Sequence, residues 1–332
     1  MSRLTILSYH NVEGTWAFPS APGAGLRGFR DQLDWLTARA NVVRLEESLQ
    51  ALAAGERLPA RAVAITFDDG YRDNLDLAAD ELRRRRLPAT FYLVPGLIDR
   101  SVRPWWEVVA WALRCGSADT LTWEGRTVVL RSGAGRGAFA REVARSMKRV
   151  DRAERETQLD ELITQLRPGP QPDFGGLYVD AAGARGLADA GFHVGSHSSW
   201  HAILSQETPQ EQAADLAGSR SHLEGLLQRP VLALAYPNGT SSDYSPATVD
   251  AARAAGFTSA VTTRVGFNTP ATPPLELRRL VVMPERGTSV LAWSSALGAR
   301  GVRVARRRLA GRARPAGPPP TGGADSAPVA VP

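Results

Sequence analysis

The sequence predicts an α/β protein built on a parallel sheet, either curled into a barrel or open and doubly wound. Two observations carry this. Short β-branched or apolar runs recur along the chain, and they alternate with segments of helical periodicity, which is how βα units of a parallel sheet read in sequence. The 332 residues, 43% apolar and 22% charged, can bury a full core and exclude a disordered or fibrous class.

Taken in chain order, Leu4 to Tyr9 is the first strand candidate, followed by a helix over Phe29 to Arg39 and a strand over Val42 to Arg44. Val63 to Phe67 is a run of the fully buried type. A helix over Asn74 to Arg85 and a strand over Ala89 to Val94 come next. Further along, helices at Ala181 to Ala190, Pro209 to Leu227 and Pro246 to Ala255 alternate with strands at Phe192 to Ser196, Val231 to Ala235, Thr258 to Val261 and Leu280 to Met283. One segment breaks the rhythm. Trp105 to Gln165 holds two amphipathic helical stretches around LTWEGRTVVL, whose Glu124-Gly125 turn marks a hairpin, and it reads as an insertion over about 103–178. Its Trp105, Trp106 and Trp111 are expected to pack internally rather than to form a sugar platform. No repeat of solenoid period is present.

Composition narrows the chemistry. Cys115 is the single cysteine, which excludes an intrachain disulfide and a cysteine-based metal cluster. The N-terminal apolar run is too short for a secretory signal, and no later run is long enough to span a bilayer, so a cytoplasmic location is expected. Lys and Arg exceed Asp and Glu by 40 to 34. Much of the excess sits at Arg300, Arg303, Arg306, Arg307, Arg308, Arg312 and Arg314, before a Pro/Gly/Ala segment from Ala316 to Pro332. The expected division is therefore a catalytic domain over 1–299 and a disordered basic tail over 300–332. That tail is a candidate for peripheral contact with an anionic membrane; nucleic acid is not an expected partner.

Three motifs carry chemistry. The Val63 to Phe67 run ends in TFDDG, which sets Asp68 and Asp69 where a strand gives way to a loop, the end of an α/β sheet at which ligands bind. Adjacent carboxylates there need a cation or a basic partner to ionise together, although an Asp could also cap the following helix. After FHVGS comes HSSWH, with His197 and His201 four apart, a spacing that places both imidazoles on one helical face. Two His and one carboxylate with open positions describe a catalytic divalent site rather than a closed structural one. The third motif, LALAYPNG, ends in a turn at Tyr236 to Gly239 that exposes backbone N–H groups.

In this order, TFDDG, HSSWH and AYPNG resemble the motifs of the NodB-homology polysaccharide deacetylases, carbohydrate esterase family 4, over roughly Leu4 to Met283. The resemblance implies a distorted (β/α)7 barrel. It also implies Asp68 as general base, Asp69, His197 and His201 as ligands of a divalent cation (zinc first, with cobalt, nickel or manganese as alternatives), and the Asn238 N–H as an oxyanion donor.

The chain departs from that pattern in three places. Ala235 stands where many members carry the Arg that orients the base, and Arg278 or Arg279 could substitute, Arg279 being favoured. The late Leu-x-His motif that supplies the general acid is missing, as is a clear late Asp/Trp motif. The first strand, however, runs into LSYHNV, resembling a branch with an N-terminal YH, which makes His10 the candidate acid; a structural His10 is the alternative. In a closed barrel the first and last strands are neighbours, so a histidine at either could reach one mouth. His193 is expected to point away from the metal and His222 to be a surface or packing residue of its helix. The function expected is hydrolytic removal of N-acetyl groups from an amino-sugar glycan or precursor. O-acetyl ester cleavage and non-catalytic carbohydrate binding are the alternatives.

Overall fold

The computed structural model describes residues 2–284. The chain divides into units over 1–295 and 296–332; everything described lies in the first, and the basic tail lies outside the described residues.

In chain order the elements are β1 (Leu4–Tyr9), α1 (Ala24–Arg39), β2 (Asn41–Val42), α2 (Leu45–Ala53), β3 (Ala62–Phe67), α3 (Ala79–Arg84), β4 (Thr90–Leu93), α4 (Pro95–Ile98) and α5 (Trp105–Cys115). The hairpin β5 (Thr120–Trp123) and β6 (Arg126–Val129) precedes α6 (Gly133–Met147), α7 (Arg152–Leu166) and α8 (Ala181–Asp189). Then come β7 (His193–Ser196), α9 (Pro209–Leu227), β8 (Ala233–Ala235), α10 (Pro246–Ala254), β9 (Ser259–Val261) and β10 (Leu280–Val281). The strand order is β10-β1-β3-β4-β7-β8-β9, every neighbouring pair parallel.

This sheet curls into a distorted (β/α)7 barrel of the NodB type. One source of the distortion is β3, whose second edge is shared: Asn41 and Val42 of β2 pair with Ala62 and Val63, while Thr90 and Phe91 of β4 pair with Thr66 and Phe67. Just before β10, Leu277 bridges Val261 of β9, so the last segment touches both ends of the strand order.

The period-two alternation of side chains sorts the strands into two cores. Leu7, Tyr9, Ile65, Phe67, Phe91 and Leu234 face outward into a large core shared with the helices. Their neighbours Ile6, Ala64, Tyr92, Ala233, Ala235 and Val261 form the narrower barrel interior. Small residues prevail inside because Tyr92 and a buried arginine need the space. Gly195 is the clearest case: a Cβ there would stand 2.5 Å from the Tyr92 ring and 2.8 Å from the Ala233 carbonyl oxygen.

The structure differs from the sequence reading at several elements. The second strand candidate, Val42 to Arg44, is replaced by a two-residue strand at Asn41–Val42, and Leu45–Ala53 is a helix that the pattern did not single out; it buries only Leu45, Ser48 and Leu52. The helix expected from Asn74 begins with a wide-wound turn over Asn74–Ala78. Between Trp105 and Gln165 there are three helices rather than two. Asp151 divides the last two, because its side chain accepts the Glu154 N–H and starts a new helix. These three helices and the hairpin enclose a core of their own, with Trp105, Trp111, Trp123, Phe139 and Leu162 among its members.

Gly195→Ala is expected to destabilise the protein by about 1–3 kcal/mol through overpacking against Tyr92. Gly225→Ala, on α9 with open space around its Cα, should instead stabilise it by about 0.5–1 kcal/mol. Urea unfolding of the two variants checks both signs.

Candidate active site

The C-terminal ends of the barrel strands carry the three motifs to one place. β3 delivers Asp68 and Asp69, the loop after β7 delivers His197 and His201, and the turn after β8 delivers Asn238. With His10, which follows β1, they line one cavity of about 500 Å³.

Asp69, His197 and His201 are buried and converge. The Asp69 Oδ1 lies 3.3 Å from His197 Nε2 and 3.2 Å from His201 Nε2, and the three side chains form a group that could hold a metal ion. His197 Nδ1 lies 2.7 Å from the Ala235 carbonyl oxygen. A carbonyl only accepts, so Nδ1 carries the proton and Nε2 turns its lone pair toward Asp69, the tautomer a metal ligand needs. Asp69 Oδ1, buried and without a hydrogen-bond partner, faces that lone pair, an arrangement that a shared cation relieves. Burial presses His197 downward, yet Asp69 and Asp68 together raise it, so this point in the protein calls for positive charge. The donor set fits a divalent cation of the zinc type.

The two histidines meet without a helix. Sequence spacing suggested one helical face, but residues 197–203 form an irregular loop in which Ser198 (φ 62°) and His201 (φ 48°) are left-handed. Asp69 (φ 71°) and Asn238 (φ 57°) share that conformation. For residues other than glycine it is sparsely populated, and it persists only where the surroundings enforce it. Here Asp215 on α9 enforces it by accepting the Ser199 N–H, while Ser199 Oγ donates to the Asp215 carbonyl oxygen at 2.8 Å.

Asp68 sits beside this group with a different partner. Arg279 approaches from the last strand and binds it through two parallel hydrogen bonds, Nη1 to Oδ1 at 2.7 Å and Nη2 to Oδ2 at 2.6 Å. Arg279 is fully buried and is further fixed by donating to the Thr262 carbonyl oxygen and Thr66 Oγ1. Burial alone would push Asp68 up, but the Arg279 charge, with His197 and His10 beyond it, holds it below the ordinary aspartate range. Arg278 lies at hydrogen-bond distance from Asn268 through its own backbone, not from Asp68. His10 Nε2 stands 4.0 Å from Asp68 Oδ2, too far for a hydrogen bond but on the same cavity.

Several residues were missed in the sequence. Asp73 accepts the Val12 and Glu13 N–H groups, and Asn74 Nδ2 donates to the His10 carbonyl oxygen at 2.7 Å, so the segment after TFDDG fixes the loop that bears His10. Trp106, expected only to pack, lies against His201 with ring centroids 4.5 Å apart. Its Nε1 donates to Tyr71 Oη, Tyr71 donates to Glu107 Oε1, and Glu107 Oε2 accepts the Ala17 N–H. Trp111 does pack internally, against Phe174. His193 pairs with Glu46 at 2.7 Å at the start of β7. Alternation places it on the same face as His197; distance along the strand keeps it from Asp69, not an opposite face.

Metal-free protein titrated with zinc should bind it and gain thermal stability that rises with the logarithm of zinc concentration above Kd. Asp69→Asn and His201→Ala should weaken that binding by more than the roughly 10–100-fold typical of losing a supporting contact, as read by calorimetry. Arg279→Met, which strands a buried carboxylate, should cost about 3–5 kcal/mol in chemical denaturation. Because the folded Asp68 is held low, the pair's contribution in wild type is present above the ordinary aspartate value of about 3.9 and is lost as pH falls through the lower folded value.

The family model described as Polysaccharide deacetylase matches residues 55–260. Among solved structures, the chain is similar to the Streptococcus pyogenes deacetylase PplD in complex with acetate, at 19% identity and a TM-score of 0.57, covering 87% of this chain and 96% of that one. It is similar to IcaB from Ammonifex degensii at 20% identity and a TM-score of 0.56, covering 89% and 98%. A de-N-acetylase from Aggregatibacter actinomycetemcomitans is 16% identical with a TM-score of 0.54, covering 87% and 98%. At these identities the likeness is one of fold. No curated protein matches the chain. The family match spans most of the barrel, from before β3 to within β9, and contains all three motifs that build the cavity: the chain belongs to the polysaccharide deacetylase family.

Proposed function

We propose that the protein is a metal-dependent hydrolase that removes N-acetyl groups from an amino sugar. The observation that carries this reading is the pairing of two aspartates with opposite tasks in one cavity, Asp69 turned to the two histidines and Asp68 clamped by Arg279.

Asp69, His197 and His201 would hold the cation, zinc by the nitrogen-rich donor set. Once bound, it would supply Lewis acidity that polarises the acetyl carbonyl and eases deprotonation of water. Asp68, kept ionised by Arg279, is the base that takes the proton of the attacking water. Arg279 donates to both Asp68 oxygens in the plane of the carboxylate and so fixes its orientation. The Asn238 N–H, in a turn whose carbonyl oxygen accepts from Thr263 Oγ1 at 2.7 Å, is aimed as donor to the developing oxyanion. His10, partly exposed at the mouth, protonates the departing amine.

No helix among the described residues is long and apolar enough to cross a membrane. The domain plan proposed is a catalytic unit over 1–299 with its insertion at about 103–178, followed by the basic tail.

Acetate release from short N-acetylglucosamine oligomers by the zinc-loaded protein tests the reading. Asp68→Asn and His10→Ala are each expected to lower kcat by about 10²–10⁴-fold. Full activity of the Asp68→Asn protein would refute the assigned base. Undiminished activity of His10→Ala would remove only the acid. Release from O-acetylated xylan but not from the amide substrates would move the enzyme to ester cleavage.

A further inference from the structure

The cavity does not end at the catalytic group. It continues between α5 and α6, the helices of the insertion, where its wall is formed by Val109, Ala110 and Leu113 on one side and Gly137, Ala140 and Ala144 on the other. Trp16 and Phe18, from the loop after β1, cover it. That loop is tied to the insertion, for Ala17 donates to Glu107 and Arg114 donates to the Trp16 carbonyl oxygen at 2.6 Å. The wall offers a glycan chain few partners. Sugar hydroxyls set against these aliphatic side chains would lose water without gaining hydrogen bonds.

The same stretch is positively charged. Arg141, on α6, and Lys148, directly after it, form no ion pair with any carboxylate among the described residues. Lys148 is half-buried and lines the cavity together with Asp69 and His201, which sets it toward the catalytic end; the charges of Asp243 and then Asp69 act on it. Arg155 stands behind it, buried, its guanidinium donating to the Met147 and Val150 carbonyl oxygens at the end of α6. Arg114 and Arg136 also line the cavity; the donors of both reach carbonyl oxygens, which leave the Arg114 charge uncancelled, while Arg136 also lies 3.7 Å from Asp119. The acidic residues of the lining are Asp68 and Asp69, both already committed.

We propose, resting on the deacetylase reading above, that the substrate is an acetylated amino sugar joined through phosphate to an apolar chain. The sugar enters the catalytic end, the phosphate meets Lys148 and Arg141, and the chain lies between α5 and α6 under Trp16 and Phe18. Continuity of the apolar wall with the catalytic cavity and the unpaired cations along it select this occupant over a neutral glycan. The aliphatic character of the wall selects it over a nucleotide sugar, whose base would need polar partners.

Two measurements test it. Farnesyl phosphate titrated into the metal-free protein should change tryptophan fluorescence saturably, with affinity about tenfold or more above that of farnesol or inorganic phosphate. The double variant Arg141→Gln, Lys148→Gln should lose about that factor. Equal affinity for farnesol and farnesyl phosphate, or no saturable signal, overturns the proposal. In the zinc-loaded enzyme, kcat/KM for farnesyl-phospho-N-acetylglucosamine should exceed that for N-acetylglucosamine oligomers and for UDP-N-acetylglucosamine, and Ala140→Trp should reduce that preference. Preference for the oligomers or the nucleotide sugar overturns the lipid assignment while leaving the deacetylase standing. Acetate from none of the three overturns both.

Discussion

The buried pair between Asp68 and Arg279 is the constraint on which the catalytic end of the barrel depends. Asp68 directly follows β3, Arg279 immediately precedes β10, and the guanidinium also takes up the Thr262 carbonyl oxygen just after β9 and Thr66 on β3. One side chain thus ties together three strands that hydrogen bonds of the sheet join only indirectly. Burying two charges is expensive, and such a pair contributes less to stability than its geometry suggests. What it provides is a carboxylate that stays ionised and cannot rotate, a few ångströms from a second carboxylate that must do something else.

The rest of the interior accommodates this arrangement. Ala235 and Ala233 leave the room that Arg279 and Tyr92 occupy, and the guanidinium lies 5.9 Å from the Tyr92 ring centre. An arginine in the turn after β8, common in the family pattern, would compete for the same space. The chain therefore reaches the same electrostatic end from the other side of the barrel, and Ala235 supplies instead the carbonyl oxygen that fixes His197.

The insertion is likewise part of the site. Trp106 lies against His201 and is held through Tyr71 to Glu107, a buried carboxyl pushed upward by its surroundings, and Glu107 anchors the loop bearing Trp16. Tyr71 directly follows TFDDG. The motif strand, the inserted helices and the loop after β1 are thereby linked through the side chains of Tyr71, Trp106 and Glu107, so the wall of the cavity and the group of Asp69, His197 and His201 share one support.

The alternation of apolar runs and helical segments made the α/β class legible from sequence, because burial on both faces of a parallel sheet forces near-continuous apolar strands. TFDDG and HSSWH were legible as a group that could hold a metal ion, since few residue types can hold a divalent cation and these stood at strand ends. Arg279 could be named but not placed. Its two hydrogen bonds to Asp68 depend on β10 lying beside β1, a contact between segments far apart in the chain that no local pattern encodes. The loop carrying His197 and His201 was misread as a helical face, because the spacing of four is common to both and only Asp215, fourteen residues beyond His201, holds the left-handed turns in place. Trp106, Tyr71 and Glu107 had the composition of core residues, and became site residues only where tertiary packing set an inserted helix against the mouth. Residue types decided which chemistry was available; the closure of the barrel, which brings distant strand ends within hydrogen-bonding reach, decided which of them act together.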